Sequence, residues 1–164
     1  MFDAAPVSAG PKPVFYAELA AQARALLAGE RDLIANAANF SALAYQALPD
    51  INWAGFYFHD GQELVLGPFQ GKPACVRIAL SRGVCGAAAS QRQTQVVPDV
   101  HAFPGHIACD AASRAEIVVP LVQEGRLLGV WDVDSPLPGR FDDEDRVGME
   151  ALCEVFLHSL RPAD

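Results

Sequence analysis

The feature that most constrains the fold is a pair of β-branched-rich segments, 116–122 and 126–134, separated only by Gln123-Glu124-Gly125. Valine and isoleucine favour strands, and a short connection that contains a glycine is typical of a tight hairpin. The two segments are therefore predicted to pair as antiparallel strands. This pairing commits the chain to a fold that contains a β-sheet.

The connection also determines which side chains of the hairpin meet. A three-residue loop with Gly125 in the left-handed conformation would place Glu116 directly opposite Asp132, with Asp134 nearby on the same face. A two-residue turn would send Glu116 to the other face. Like charges so close repel each other, so this pattern predicts either a solvated face or a site for an ammonium group or a metal ion.

The remaining elements follow from periodicity. Apolar residues recur at helical spacing from Phe15 to Gly29 and again from Arg31 to Leu48. The other predicted strands are 51–58, 63–69, 75–80 and 94–97, and the other predicted helices are 83–91 and 142–160. Four acids at 142–145 are typical of a helix N-terminus. This order predicts an α+β domain with a six-stranded antiparallel sheet and helices on one face.

Composition limits the number of domains and the partners. The chain has 164 residues, of which 51% are hydrophobic, and is predicted to form a flexible segment (1–13), one domain (14–160) and a short tail (161–164). Its formal net charge of -8 disfavours nucleic acid and anionic membranes as partners. The sequence shows neither a signal peptide nor an apolar run long enough to span a membrane, so we expect a cytoplasmic protein.

The cysteines are candidates for redox or metal chemistry. Cys109 lies in a predicted loop, with His106 and Arg114 available to favour its thiolate, whereas Cys153 fits the apolar side of the last helix. Zinc is an alternative, because His106, Cys109, Cys75 and Cys85 offer four ligands. The paired Cys-x-x-Cys spacing of structural zinc sites is missing, so no metal is expected.

Two aromatic residues share one face of the first predicted strand. Trp53 and Tyr57 flank the small Gly55, an arrangement that suits an apolar wall with polar tips. Packing in a core is the ordinary role of such a pair. The pattern alone does not choose between a pocket wall and a core.

Several ordered motifs resemble free methionine-(R)-sulfoxide reductases, a family built on the GAF domain. The motifs are residues 67–75 (GPFQGKPAC), 83–86 (GVCG), 99–113 (DVHAFPGHIACDAAS), 116–120 (EIVVP) and 132–136 (DVDSP). The resemblance covers roughly residues 14–160. It implies a GAF-like fold, with a six-stranded antiparallel sheet flanked by N-terminal helices and a C-terminal helix.

The resemblance also implies a redox mechanism. Cys109 would be the nucleophile that attacks the substrate sulfoxide, Cys75 would resolve the sulfenic acid as a disulfide, and Cys85 would be a pocket residue or a second resolving thiol. The family further implies thioredoxin as the reductant, a role in oxidative stress and no cofactor. A homodimer is compatible with the sequence, which leaves the oligomeric state undecided.

Substrate-binding residues follow from the same resemblance. Glu116, Asp132 and Asp134 would hold the ammonium group of free methionine sulfoxide, and Glu116 and Asp132 would also help to polarise the sulfoxide. Trp53 and Tyr57 would line the methyl-thioether end. The family pattern thus predicts a substrate with a free amino group.

One residue departs from the family pattern, and one alternative function stays open. Trp131 stands where the family leads us to expect a smaller aliphatic residue, on the strand face opposite to Asp132 and Asp134.

The alternative function is a non-catalytic GAF sensor that binds a cyclic nucleotide or a chromophore. A sensor would be expected to carry an output domain, and pocket carboxylates would repel a cyclic phosphate.

Overall fold

A six-stranded antiparallel sheet organises the residues that the computed structural model describes, 1–106 and 110–163. The helices are α1 (Lys12–Leu27), α2 (Leu33–Ala47), α3 (Gly83–Gln91) and α4 (Asp143–Ser159). The strands are β1 (Trp53–His59), β2 (Leu64–Gly71), β3 (Arg77–Ile78), β4 (Gln95–Val97), β5 (Ala115–Gln123) and β6 (Arg126–Ser135). Their order across the sheet is β3-β2-β1-β6-β5-β4, which confirms the predicted α+β class.

Helices cover both faces of the sheet, so the prediction of helices on one face is wrong. α1, α2 and α4 pack on one face around a core that includes Phe40, Phe56 and Trp131. α3 packs on the other face, where Gly86 allows a close approach because a β-carbon there would lie 2.7 Å from the carbonyl oxygen of Ala79. The second face therefore holds a smaller core and leaves room for a pocket beside α3.

Trp131 is a packing residue. Its side chain is completely buried on the face covered by α1, α2 and α4, with its ring 4.7 Å from that of Phe40 and 4.8 Å from that of Phe56. Alternation along β6 keeps this side chain away from the face that carries Asp132 and Asp134. The departure from the family pattern thus affects the core and not the acidic face.

The hairpin of β5 and β6 has a two-residue turn, and the predicted three-residue loop is wrong. Gln123 pairs with Arg126, and Glu124 and Gly125 both have positive φ values of 52° and 76°, as a type I′ turn requires. This turn alone would place Glu116 opposite Val133, on the apolar face.

A bulge restores the acidic face. The register shifts after Leu121, which pairs with Gly129, while Val122 pairs with Leu127, so Leu128 is the extra residue on β6. As a result Glu116 pairs with Asp134 and not with Asp132 as predicted. Relative to the predicted pairing, the turn shifts the partner of Glu116 by one residue and the bulge shifts it by one more. Because side chains alternate along a strand, the two shifts together leave Glu116 on the predicted face.

The third strand is shorter than predicted. Only Arg77–Ile78 pair with β2, although Val76 extends the contact by accepting a hydrogen bond from the Leu66 backbone N–H at 2.8 Å. The carbonyl of Cys75 instead accepts a hydrogen bond from the Tyr57 hydroxyl at 2.9 Å. The Tyr57 side chain therefore binds the backbone of Cys75, two residues before β3 begins.

The acidic run at 142–145 forms the predicted helix cap and also a buried ion cluster. Asp142 and Asp145 form a capping box at the start of α4. Asp145, only 1% exposed, also accepts hydrogen bonds from the Tyr16 hydroxyl at 2.6 Å and the Lys12 ammonium at 2.7 Å, and it pairs with Arg140. These contacts join the start of α1 to the start of α4.

None of the helices in the described ranges is both long and apolar enough to span a membrane.

Replacing Gly129 should destabilise the fold, because the β-carbon of an alanine there would lie 2.1 Å from the Tyr57 carbonyl oxygen on β1. We expect Gly129→Ala to lower the free energy of unfolding by about 1–3 kcal/mol or more, as overpacking of a well-packed interior does. Urea denaturation measures this change. Gly10→Ala is the control, since a β-carbon at Gly10 would meet nothing within 4 Å. Equal stability of the two variants would contradict the role of Gly129.

Candidate active site

Three acidic side chains line one pocket on the α3 face of the sheet. Glu116 on β5 lies opposite Asp134 on the neighbouring strand β6, and Asp132 lies two residues before Asp134 on the same face. Glu116 and Asp132 are each only 5% exposed. The structure thus brings together the three carboxyls that sequence reasoning placed on one face, although in a different register.

Aromatic residues of β1 form the adjoining wall. Trp53 pairs with Asp134 and Gly55 pairs with Asp132, so the wall runs directly beside the acids. The ring of Trp53 stacks 5.9 Å from the ring of Tyr57 and 5.1 Å from the ring of Phe69. Trp53 and Tyr57 therefore serve as both a small core and a pocket wall.

The polar tips of this wall hold the segment 72–75 over the sheet. The Trp53 indole N–H donates to the Lys72 carbonyl at 3.1 Å, and the Tyr57 hydroxyl donates to the Cys75 carbonyl at 2.9 Å. Cys75, the predicted resolving residue, is disulfide-bonded. The aromatic pair thus fixes the backbone position of a disulfide-bonded cysteine.

Cys85 contributes a buried thiol from the first turn of α3. Its sulfur lies 3.9 Å from Glu116 Oε1, and the residue is 4% exposed. Burial, followed by the nearby charges of Asp132 and Glu116, raises the pKa of the thiol well above its ordinary value. Cys85 is therefore protonated at neutral pH and is a poor nucleophile in this state.

Described residues on both sides of the predicted nucleophile line the same pocket. His106 and Asp110 both line it, and His106 Nε2 lies 3.6 Å from Glu116 Oε2. Burial lowers the pKa of His106, which favours its neutral form. Cys109, the predicted nucleophile, lies between these two residues in sequence and outside the described residues.

Two residues of this region differ from expectation. Arg114, expected to favour the Cys109 thiolate, lies 3.7 Å from Asp99 with about two fifths of its side chain exposed, and it is not among the residues that line the pocket. Asn52, which the sequence did not single out, donates to Asp110 Oδ2 at 3.2 Å and to Ser113 Oγ at 3.1 Å. A lone asparagine before a strand has no motif that reveals this role.

The pocket acids hold their protons more strongly than ordinary carboxyls. Burial, followed by the charge of Asp134, raises the pKa of Glu116 to about 8. Burial and the charge of Glu116 raise the pKa of Asp132, and burial and the charge of Asp132 raise that of Asp134. One oxygen of Glu116 and one of Asp132 lie within 4.8 Å of each other, so a proton on either carboxyl relieves their repulsion. The cluster can therefore supply a proton to a bound ligand or take up a cation.

The same side chains include a set of metal-type donors. One ligand atom from each of Cys85, Glu116 and Asp132 lies within 4.8 Å of the others. The zinc quartet that was considered as an alternative would need the thiolate of Cys75, which is engaged in a disulfide. His106 and Cys85 belong to the same quartet and both line the pocket, where each contacts the carboxyl group of Glu116.

The fold and its partly enclosed polar pocket define a GAF domain, and residues 15–157 match the GAF domain family. The free methionine-R-sulfoxide reductase of Escherichia coli K12 is 57% identical over 141 residues, covering 86% of each chain. The yeast protein of the same name, from Saccharomyces cerevisiae, is 47% identical and covers 78% of this chain and 76% of its own.

Solved structures agree with this relationship. The Neisseria meningitidis enzyme in complex with its substrate is 43% identical, with a TM-score of 0.91 and coverage of 96% of this chain and 95% of its own. A GAF protein from Burkholderia vietnamiensis, described as a candidate sensor, is 70% identical, with a TM-score of 0.89 and coverage of 93% and 100%. The chain belongs to the free methionine-(R)-sulfoxide reductase family of GAF-domain enzymes.

The raised pKa of Glu116 predicts a pH-dependent stability. Between its ordinary value of 4.5 and about 8, the folded state keeps a proton that the unfolded state loses, so the free energy of unfolding should fall as pH rises through this range. We expect Glu116→Gln to show a smaller fall, because the neutral amide needs no proton. Urea denaturation at pH 5 and pH 8.5 measures both slopes.

Glu124→Gln, in the exposed turn of the hairpin, is the matched control and should keep the wild-type slope. A wild-type slope in Glu116→Gln would show that the buried carboxyl does not cause the pH dependence.

Proposed function

We propose that this protein reduces free methionine-(R)-sulfoxide to methionine through a cysteine sulfenic acid and a disulfide. The observation that carries the proposal is the cluster of the buried Glu116 and Asp132 with the half-buried Asp134, beside an aromatic wall and a disulfide-bonded cysteine. The name of the Escherichia coli relative and the substrate complex of the Neisseria meningitidis enzyme support the choice of substrate.

The acids would select a substrate with a free ammonium group. An ammonium group entering the pocket offers three donors and a positive charge, which offset the repulsion among the buried carboxyls. Asp132 Oδ1 has no hydrogen-bond partner among the described residues and is ready to accept one. The amide nitrogen of a peptide-bound residue carries no charge, so it would leave this cluster unsatisfied.

Trp53 and Tyr57 would contact the apolar end of the substrate. Their stacked rings stand next to the acids, because Trp53 pairs with Asp134 on the neighbouring strand. Sulfur and methyl groups pack favourably against aromatic rings. The pocket would thus bind both ends of the substrate and hold the sulfoxide between them.

The chemical step reduces the substrate sulfoxide and oxidises a cysteine. The Cys109 thiolate attacks the substrate sulfur and forms an S–S bond, and a protonated pocket acid, Glu116 or Asp132, donates a proton to the sulfoxide oxygen. The S–O bond breaks, and the oxygen leaves as water after it takes a second proton from solvent. Water then attacks the Cys109 sulfur and loses a proton, the S–S bond breaks, the substrate sulfur leaves as the thioether, and Cys109 becomes a sulfenic acid. The raised pKa of Glu116, about 8, supports the role of proton donor.

Recovery requires a second thiol and an external reductant. The Cys75 thiol condenses with the sulfenic acid, which forms a disulfide and releases water. A dithiol, for which thioredoxin is our candidate, then reduces this disulfide. The disulfide-bonded state of Cys75 supports its role as the resolving residue, and the buried, protonated thiol of Cys85 favours a pocket role for that residue.

Cysteine variants test the order of these steps. We expect Cys109→Ser to abolish thioredoxin-coupled reduction of free methionine-(R)-sulfoxide. Cys75→Ser should retain one turnover, measured as one methionine per protein, and lose most of its recycling by thioredoxin.

Cys153→Ser is the control, because this buried thiol lies on α4 against the other face of the sheet and should leave the rate unchanged. Full activity of Cys109→Ser would overturn the proposed mechanism. An undiminished thioredoxin-coupled rate in Cys75→Ser would assign resolution to another thiol.

Substrate variants test the ammonium site. We expect turnover of the free (R)-sulfoxide and no turnover of the free (S)-sulfoxide. The N-acetyl (R)-sulfoxide should lose at least about tenfold in kcat/KM, since a lost charged hydrogen bond costs about 1.5–3 kcal/mol. Equal rates for the free and acetylated substrates would exclude the carboxylates as the ammonium site. Binding of free methionine sulfoxide with no turnover by the wild-type protein would instead favour the sensor alternative.

A further inference from the structure

The pocket contains a second kind of recognition chemistry besides that of an ammonium group. Cys85 Sγ lies 3.9 Å from Glu116 Oε1, and His106 Nε2 lies 3.6 Å from Glu116 Oε2. With Asp132, these side chains provide sulfur, nitrogen and oxygen donors from α3, the loop before β5, and both strands of the hairpin. Mixed donors of this kind suit Zn²⁺ and similar thiophilic cations.

The spacing of three of these donors fits a single ion. Bonds of about 2.0–2.3 Å in a tetrahedral site separate the ligand atoms by roughly 3.3–3.8 Å. Cys85 Sγ and Glu116 Oε1 are 3.9 Å apart, and one ligand atom from each of Cys85, Glu116 and Asp132 lies within 4.8 Å of the others. A contraction of about 1 Å would bring these three atoms to the spacing of a shared ion. His106 is not one of the three and lies beside the site, against the other oxygen of Glu116.

An unpartnered buried atom points to a ligand independently of the spacing. Asp132 is 5% exposed, lines the pocket, and has an Oδ1 atom with no hydrogen-bond partner among the described residues. A buried carboxylate oxygen without a partner is costly, and a cation would remove that cost.

We propose that Cys85, Glu116 and Asp132 form a binding site for a thiophilic divalent cation such as Zn²⁺, and that this cation excludes the amino-acid substrate. The exclusion rests on the proposed function, because it assumes that Glu116 and Asp132 also hold the substrate ammonium group. The metal site itself depends only on the donor geometry. The cation would thus be an inhibitor that competes with substrate, and it has no part in the reaction.

Cadmium titration tests the site with a readout separate from activity. The double variant Cys75→Ser/Cys109→Ser leaves Cys85 and Cys153 as the only thiols. Adding Cd²⁺ to this protein should produce an ultraviolet thiolate-to-metal charge-transfer band that saturates at one equivalent. Adding Cys85→Ser should abolish the band, whereas adding Cys153→Ser should leave it unchanged.

A second variant separates a built site from a lone thiol. Asp132→Asn keeps Cys85 and should weaken Cd²⁺ binding by at least about tenfold, since even outer-sphere changes cost that much. Circular dichroism checks that each variant is folded, and Asp132→Asn decides the question if Cys85→Ser does not fold. A band that survives Cys85→Ser, that never saturates, or that Asp132→Asn leaves equally tight would overturn the site.

Competition tests the exclusion. Excess free methionine sulfoxide should raise the apparent dissociation constant for Cd²⁺ in the double variant, and Zn²⁺ should raise KM without changing kcat in the wild-type enzyme. Tight Cd²⁺ binding that methionine sulfoxide does not affect would overturn the exclusion while leaving the metal site. Failure of the proposed function is distinguishable, because it would appear as absent turnover in metal-free buffer.

Discussion

The site depends on one backbone irregularity, the bulge that follows Leu121 in the pairing of β5 with β6. The type I′ turn at Glu124-Gly125 alone would turn Glu116 into the apolar core, because side chains alternate along a strand. The extra residue, Leu128, turns it back toward Asp132 and Asp134. Residue 129, next to the bulge, must be a glycine, because a β-carbon at this position would collide with the Tyr57 carbonyl oxygen on β1. The bulge in β6, next to this close contact with β1, thus decides on which face β5 places the carboxyl of Glu116.

Placing three carboxyls together, with Glu116 and Asp132 buried, is unfavourable for their charged forms. The raised pKa values of all three reflect this cost, so the pocket favours neutral carboxyls or a bound cation. Under the two proposals above, a substrate ammonium group and a divalent metal ion are alternative ways to offset the same electrostatic penalty. The Cys85 thiol distinguishes them, because it adds a ligand that suits a metal and offers little to an ammonium group.

Hydrogen bonds from the centre of the sheet hold two segments that line the pocket. The Tyr57 hydroxyl anchors the backbone of Cys75, and the Asn52 side chain donates to Asp110 and Ser113. Both anchors come from β1 or the residue before it. One strand thus fixes the backbone of the disulfide-bonded Cys75 and the side chains of Asp110 and Ser113. Under the proposed mechanism, such placement would favour a reaction between two cysteines.

The sequence by itself determined the strand and helix content, the turn glycine, the shared face of Asp132 and Asp134, and the family to which the chain belongs. These follow from local periodicity and from ordered motifs, which need no knowledge of distant contacts. Only the tertiary structure decided the register of Glu116, the position of α3 on the second face, the anchoring role of Asn52 and the separation of Arg114 from the pocket. Each of these depends on which distant backbone or side chain comes close, such as Tyr57 against Gly129, and local sequence patterns do not encode such approaches.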